Sequence, residues 1–103
     1  EEMLWAKISP KLKAEILIIL QELLVNMKKH SQAQKVILKF EITLNQLYIF
    51  YSDDGIGLEK DFQKKNGLKN IEKRIFSHGG TVKFEQLTAK GLKINIAFPI
   101  KFK

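Results

Sequence analysis

The sequence predicts a two-layer α/β sandwich, in which one mixed β-sheet is covered on one face by helices. Segments of helical periodicity and segments of strict apolar alternation follow one another as helix, hairpin, loop, helix, hairpin. The 103 residues are enough for one modest hydrophobic core and too few for two. We therefore expect residues 1–103 to form a single domain.

The first helix is predicted from about Pro10 to Lys29, because proline is favourable in the first turn and apolar residues then recur with a period near 3.6. The residues of this stripe are Leu12, Ile16, Ile19, Leu20, Leu23, Leu24 and Met27.

A β-hairpin is predicted next. Residues 36–42 alternate, and a turn over Thr43 to Gln46 leads into residues 47–51. This second strand is apolar on both faces, as expected inside a sheet, and continues into Asp53-Asp54-Gly55-Ile56-Gly57. The polar stretch from Glu59 to Asn66 predicts a mobile loop that can act as a lid.

A second helix and a second hairpin complete the predicted sheet. Gly67 opens the helix and Gly79-Gly80 closes it, because glycine readily adopts the left-handed conformation of a helix C-cap. A turn over Thr88 to Gly91 joins the last two strands. The apolar residues of these elements are Leu68, Ile71 and Ile75 in the helix and Val82, Phe84, Leu92, Ile94, Ile96 and Phe98 in the strands.

Composition limits the class of protein. Hydrophobic residues make up 45% and charged residues 28%, as in globular proteins. The net charge of +7 favours an anionic partner, whether nucleotide phosphates, nucleic acid, acidic lipid or an acidic protein surface. Cysteine is absent, which excludes disulfides and thiolate zinc sites and suits the cytoplasm.

Membrane insertion and export are not expected. The longest apolar run, Ile16 to Leu20, is far below the roughly 20 residues of a membrane span, and the acidic start lacks a signal peptide's basic region. We expect no membrane contact by this chain, although a longer parent could be anchored in the inner membrane through other regions.

Polar residues that could take part in binding or catalysis share one face of the first helix. Asn26 lies four residues after Glu22, and Lys29 and His30 lie three and four residues after Asn26. The amide oxygen of Asn26 suits Mg²⁺, Lys29 can meet a phosphate, and Glu22 could polarise a water molecule. The alternative is a solvated face of an amphipathic helix, with His30 stabilised by the helix dipole.

Two further segments offer binding groups. A carboxylate at Asp53, with the glycines that follow it, could accept a hydrogen bond from an amino group, although an ordinary surface turn has the same composition. A calcium loop would need many more oxygen ligands. Gly67 and Leu68 place unpaired N–H groups at a helix start, which suits phosphate or is an ordinary junction.

Three motifs occur together in order: Gln21–His30, Asp53–Gly57 and Gly67–Ile71. They resemble the N box, the D-x-G-x-G box and the second glycine box of the ATP-binding catalytic domain of bacterial sensor histidine kinases. Arg74 and the segment Gly91–Pro99 look like the rest of that domain in its short-lid branch, the kinases of the nitrate-sensor type. The resemblance implies the Bergerat fold of the GHKL superfamily, which gyrase and Hsp90 ATPase domains share.

The resemblance implies a site for ATP with Mg²⁺. Asn26 would bind the metal, and Asp53 would accept the adenine amino group. Gly55 and Gly57 would shape the pocket floor.

The remaining motif residues would contact other parts of the nucleotide. Lys29 and His30 would lie along the phosphates or ribose, and Gly67 with Leu68 would close the lid over the triphosphate. Glu22 matches the general base of the hydrolysing relatives; in a kinase it would orient the Mg²⁺ shell or polarise the acceptor nitrogen.

The resemblance also implies partners outside this chain. The γ-phosphoryl acceptor would be a histidine on the dimerisation helices of the same kinase, which are absent here. Neither His30 nor His78 lies in an acceptor-like motif, so the chain should not autophosphorylate alone. A response regulator would be reached through the full-length kinase, and the isolated domain should be a monomer.

Two departures from the family pattern stand out. Leu92 follows Gly91 where the family usually has threonine, whose hydroxyl helps to bridge the adenine-binding aspartate through water. Affinity or base selectivity should suffer. Asn66 replaces a small residue upstream of the second glycine box, which puts lid flexibility in question.

Three alternatives remain open. The same fold could serve as a non-catalytic interaction domain, or as a kinase that phosphorylates serine on an anti-sigma antagonist. A nucleic-acid-binding module, which we do not expect, would use the charge of +7 and the tail Phe98, Lys101, Phe102 and Lys103.

Overall fold

The computed structural model describes residues 5–6, 8–30, 32–43, 45–55, 68–86 and 91–100, apart from the side chains of Lys29, His30 and Gln86. Helices and strands follow in the predicted order, whereas the predicted lid over Glu59 to Asn66 lies outside the described residues. The elements are α1 (Pro10–His30), β1 (Val36–Ile42), β2 (Gln46–Asp53), α2 (Leu68–Ser77), β3 (Thr81–Gln86) and β4 (Leu92–Pro99).

Helix α1 begins at a hydrogen-bonded cap. The Leu12 amide donates to Ser9 Oγ over 3.1 Å, and Pro10 occupies the first helical position, where a missing N–H group costs no hydrogen bond. No described helix combines the length and apolar character that a membrane span requires. The residues that α1 buries against the sheet are Ile16, Ile19, Leu23 and Met27.

The outer face of α1 is also apolar. Leu24 was predicted in the buried stripe but is 39% exposed. The reason is that Leu23 takes the inward position, and the next residue lies about 100° further round the helix. Leu24 therefore joins Leu17 and Val25, which are 58% and 56% exposed, on the side away from the core.

The described strands form a four-stranded sheet of order β1-β2-β4-β3, and all their pairings are antiparallel. The expected mixed sheet is wrong for these strands. The crossover through α2 does leave β2 and β3 parallel to each other, but β4 lies between them and is antiparallel to both. The expected two layers, with both helices on one face, are confirmed.

Strand β2 has a neighbour on each side, as predicted, but no described helix covers one of its faces, hereafter the uncovered face. Tyr48 and Phe50 lie half-buried on the uncovered face, with their rings stacked at a centroid distance of 6.1 Å. Two concave areas on this face contain none of the predicted site residues. The buried residues of β2 and β4 on the helix-covered face are Leu47, Ile49, Tyr51, Asp53, Leu92, Ile94, Ile96 and Phe98.

The glycine pair ends α2 as predicted. Gly80 N donates to Ile75 O over 2.9 Å and Gly79 N donates to Phe76 O over 3.0 Å, the two hydrogen bonds of a Schellman motif. Gly79 has a φ of 76°, in the left-handed region. Gly80 is packed so closely that an added Cβ would lie 2.7 Å from Ala97 O.

The two glycines should therefore respond differently to substitution by alanine. Gly80→Ala should lower the free energy of unfolding by about 3 kcal/mol, because the new methyl group overlaps backbone. Gly79→Ala, whose added carbon would be no closer than 3.4 Å to Pro99, should cost about 1 kcal/mol for its left-handed conformation. Urea denaturation measures both; an equal cost at the two positions would contradict the packing argument.

Candidate functional site

The described site residues are carried by the two helices and by the end of β2. Ser9, just before α1, and His78, just after α2, line the same surface cleft, so the two helices run antiparallel. The start of α2 therefore lies away from that cleft, on the side toward which α1 continues. Strand β2 ends there too, because Asp54 binds Gln34 and Lys35, which follow α1 in the chain.

Asp53 is a buried carboxylate at this end of the sheet. It is 7% exposed, and it is the buried charged side chain among the described residues. Gly55 N donates to Asp53 Oδ1 over 2.9 Å, and the Tyr51 hydroxyl donates to Oδ2. An ionised carboxylate is costly to bury unless it is hydrogen-bonded, and here each oxygen has a donor. Since a carboxylate has about four acceptor positions, it can accept further hydrogen bonds.

The neighbouring carboxylate, Asp54, has a structural role. It is exposed, and its Oδ1 accepts hydrogen bonds from Gln34 N at 2.9 Å and from Lys35 N at 3.0 Å. These bonds fix the chain just before β1. Of the two aspartates, Asp53 is the one that faces the layer between helices and sheet.

Asn26 presents an amide oxygen near the end of α1. Its Nδ2 donates to Glu22 O over 2.9 Å, and this hydrogen bond sets the orientation of the amide, because Oδ1 would be repelled by the carbonyl oxygen. Oδ1 is thus left to act as an acceptor or a hard metal ligand, which fits Mg²⁺. No group of three or more His, Cys, Asp or Glu among the described residues could hold a metal. Mg²⁺ shared with phosphates needs only one or two protein ligands.

Glu22 is ion-paired across the two helices. Arg74 Nε lies 3.1 Å from Glu22 Oε1, and Arg74 Nη1 lies 3.0 Å from Glu15 Oε1. The hydrogen bond to Glu15 and then the charge of Glu22 raise the pKa of Arg74 above its ordinary value, so the guanidinium stays charged at physiological pH. Arg74 therefore joins α2 to the part of α1 that carries Glu22 and Asn26.

Leu68 and Gly55 are the two remaining predicted site residues that the structure describes in full. Leu68 is fully buried in the core, so only its backbone N–H, in a first turn without acidic residues, can meet a phosphate. Gly55 is buried and bonded to Asp53. Gly57 and Gly67 lie outside the described residues, as do the side chains of Lys29 and His30.

Tyr51 is the residue near Asp53 that the sequence analysis missed. It counts there only as one apolar residue of the second predicted strand. Residues two apart in a strand project to the same face, so a tyrosine two positions before the predicted aspartate was the available signal. Arg74 was identified only through the family resemblance, because its partners are distant in sequence.

The chain is similar to sensor histidine kinases of Bacillus subtilis (strain 168). It is 33% identical to ComP over 82 residues, which are 76% of this chain and 11% of ComP. It is 32% identical to LiaS over 95 residues, which are 90% of this chain and 26% of LiaS. The chain thus spans between about a tenth and about a quarter of these relatives. No protein-family model matches it.

The fold is also that of a solved kinase, the blue-light activated histidine kinase of Erythrobacter litoralis EL346. The TM-score is 0.76 at 20% identity, over 90% of this chain and 32% of that chain. Fold and similarity together define a GHKL-type histidine kinase catalytic domain. The chain belongs to the sensor histidine kinase family, as the sequence resemblance indicated. Its assignment to the short-lid branch stays a prediction.

The structural role of Asp54 gives a prediction about stability. Asp54→Ala should lower the free energy of unfolding by about 1 kcal/mol, since two backbone amides lose their acceptor. Asp54→Asn, which keeps an acceptor oxygen, should cost less. Urea denaturation compares the variants, and an unchanged midpoint for Asp54→Ala would show that these hydrogen bonds do not stabilise the start of β1.

Proposed function

We propose that the chain is the ATP-binding catalytic domain of a sensor histidine kinase. It binds ATP with Mg²⁺ and donates the γ-phosphoryl group to a histidine on the dimerisation domain of the same kinase. A response regulator is the partner of the full-length protein, and the cytoplasm, which supplies ATP, is the compartment. The observation that carries the proposal is the buried carboxylate of Asp53, whose two oxygens each accept one hydrogen bond from the chain.

Base selection follows from the hydrogen bonds of Asp53. Because Gly55 N–H and the Tyr51 hydroxyl both donate to this carboxylate, it is held as an acceptor. The 6-amino group of adenine is a donor and complements it, whereas guanine has an oxygen at that position and would be repelled. A buried polar group left unpaired by the wrong ligand is the usual source of strong discrimination.

The phosphate end of the site requires positioning and positive charge, which are the main demands of phosphoryl transfer. Asn26 Oδ1 would hold Mg²⁺, which when bound supplies charge neutralisation at the phosphates. The first turn of α2 offers backbone N–H groups and the positive end of a helix dipole, with no acidic residue to oppose an anion. Lys29 and His30, at the end of α1, are proposed phosphate or ribose contacts.

Glu22 is the proposed catalytic residue. Its Oε1 is engaged by Arg74, which leaves Oε2 to accept a hydrogen bond from the acceptor imidazole or from a metal-bound water. Glu22 thereby polarises the incoming nitrogen without leaving its place on α1.

Calorimetric titration with ATP and GTP, each with Mg²⁺, tests the nucleotide site. The wild type should prefer ATP, and Asp53→Asn should weaken ATP binding by at least about tenfold, because the acceptor for the amino group becomes a mixed donor and acceptor. Asp54→Asn is the matched control and should bind like the wild type. Absence of ATP binding by a folded wild-type chain would refute the proposal.

The metal role of Asn26 is tested by comparing ATP affinity with Mg²⁺ and with EDTA. Mg²⁺ should strengthen binding to the wild type, and Asn26→Ala should lose most of that gain while keeping the metal-free affinity. Gln21→Ala, at an exposed position of the same helix, serves as the control. If Asn26→Ala keeps the full effect of Mg²⁺, the metal has another ligand.

A further inference from the structure

The strand that carries Asp53 provides its own hydroxyl donor to that carboxylate. Tyr51 lies two residues earlier on the same face of β2, is 1% exposed, and donates its hydroxyl hydrogen bond to Asp53 Oδ2. The rest of the buried stripe on β2 is aliphatic, with Leu47 and Ile49. On the buried face of β2, a single hydroxyl therefore stands in a stripe of aliphatic residues, at the carboxylate proposed to select the base.

The neighbouring strands offer no equivalent side-chain donor. The residues opposite Asp53 are Val36 on β1 and Leu92 on β4, and those opposite Tyr51 are Leu38 and Ile94. All four are aliphatic. Within the register of these three strands, Asp53 depends on Tyr51 for its side-chain hydrogen bond.

We infer that Tyr51 is a positioning residue for base selection, an inference that rests on the function proposed above. Its hydroxyl fixes Oδ2 of Asp53 while Gly55 N–H fixes Oδ1, so the carboxylate is held in one orientation before the nucleotide arrives. A preoriented acceptor loses less freedom on binding and discriminates more strongly between donor and acceptor ligands. Tyr51 thus acts on adenine through Asp53, without contacting the base itself.

A purely structural tyrosine would stabilise the domain without sensing the ligand's amino group. The experiment therefore pairs a change in the protein with a change in the ligand. Wild type and Tyr51→Phe are titrated with ATP and with purine riboside triphosphate, which lacks the 6-amino group, each with Mg²⁺. Tyr51→Phe keeps the whole ring, and urea denaturation confirms that each variant is folded during the titration.

The expected result is a loss confined to the ligand that carries the amino group. Tyr51→Phe should weaken ATP binding roughly fivefold and leave purine riboside triphosphate binding unchanged, so the preference for ATP shrinks by the same factor. Tyr48→Phe is the matched control: it removes a hydroxyl from the same strand, but on the uncovered face of the sheet. Its preference should equal that of the wild type.

Different outcomes overturn different claims. If the wild type binds both triphosphates equally, Asp53 does not read the amino group, and the proposed base selection fails together with this inference. If the wild type prefers ATP but Tyr51→Phe keeps that preference, or weakens both ligands by one factor, the proposed function stands and the positioning role of Tyr51 is refuted.

Discussion

The buried charge of Asp53 is the constraint on which the candidate site depends. An ionised carboxylate at the edge of an apolar core costs several kcal/mol unless polar hydrogens reach it. The chain supplies these hydrogens locally, from the Gly55 amide and the Tyr51 hydroxyl. Because β2 has neighbours on both sides, Val36 and Leu92 flank the carboxylate and restrict access to it. Its position at the strand end keeps it within reach of a ligand.

Glu22 connects the two helices near the residue proposed to bind the metal. Its side chain pairs with Arg74 of α2, and its backbone carbonyl accepts the hydrogen bond that orients Asn26. Glu22 therefore contacts both α2 and Asn26, whose amide is proposed to bind the metal. A rotation of α1 would break the ion pair and move Asn26 together with it. Glu15 holds the second nitrogen of the guanidinium and so limits that rotation.

Much of the architecture could be predicted because it depends on local pattern. The period of α1, the alternation of β4 and the glycines at 79 and 80 each determine a structure within a few residues. The antiparallel pairing of β2 with β4 could not be predicted in this way, unlike that of the two hairpins, since it depends on β4 lying between β2 and β3. The pairing of Arg74 with Glu15, 59 residues away, likewise depends on tertiary packing.

Tyr51 and Leu92 show which strand position supplies the hydroxyl at Asp53. Leu92 lacks the hydroxyl that the family resemblance places there, and sequence alone therefore indicated a weakened site. In the fold, Leu92 is fully buried opposite Asp53 and contributes only apolar surface, while the hydroxyl comes from Tyr51 on the aspartate's own strand. Because residues two apart in a strand project to the same face of the sheet, the strand geometry aligns the Tyr51 side chain with Asp53. If the proposed base selection holds, Tyr51 is the side-chain donor that orients the carboxylate for it.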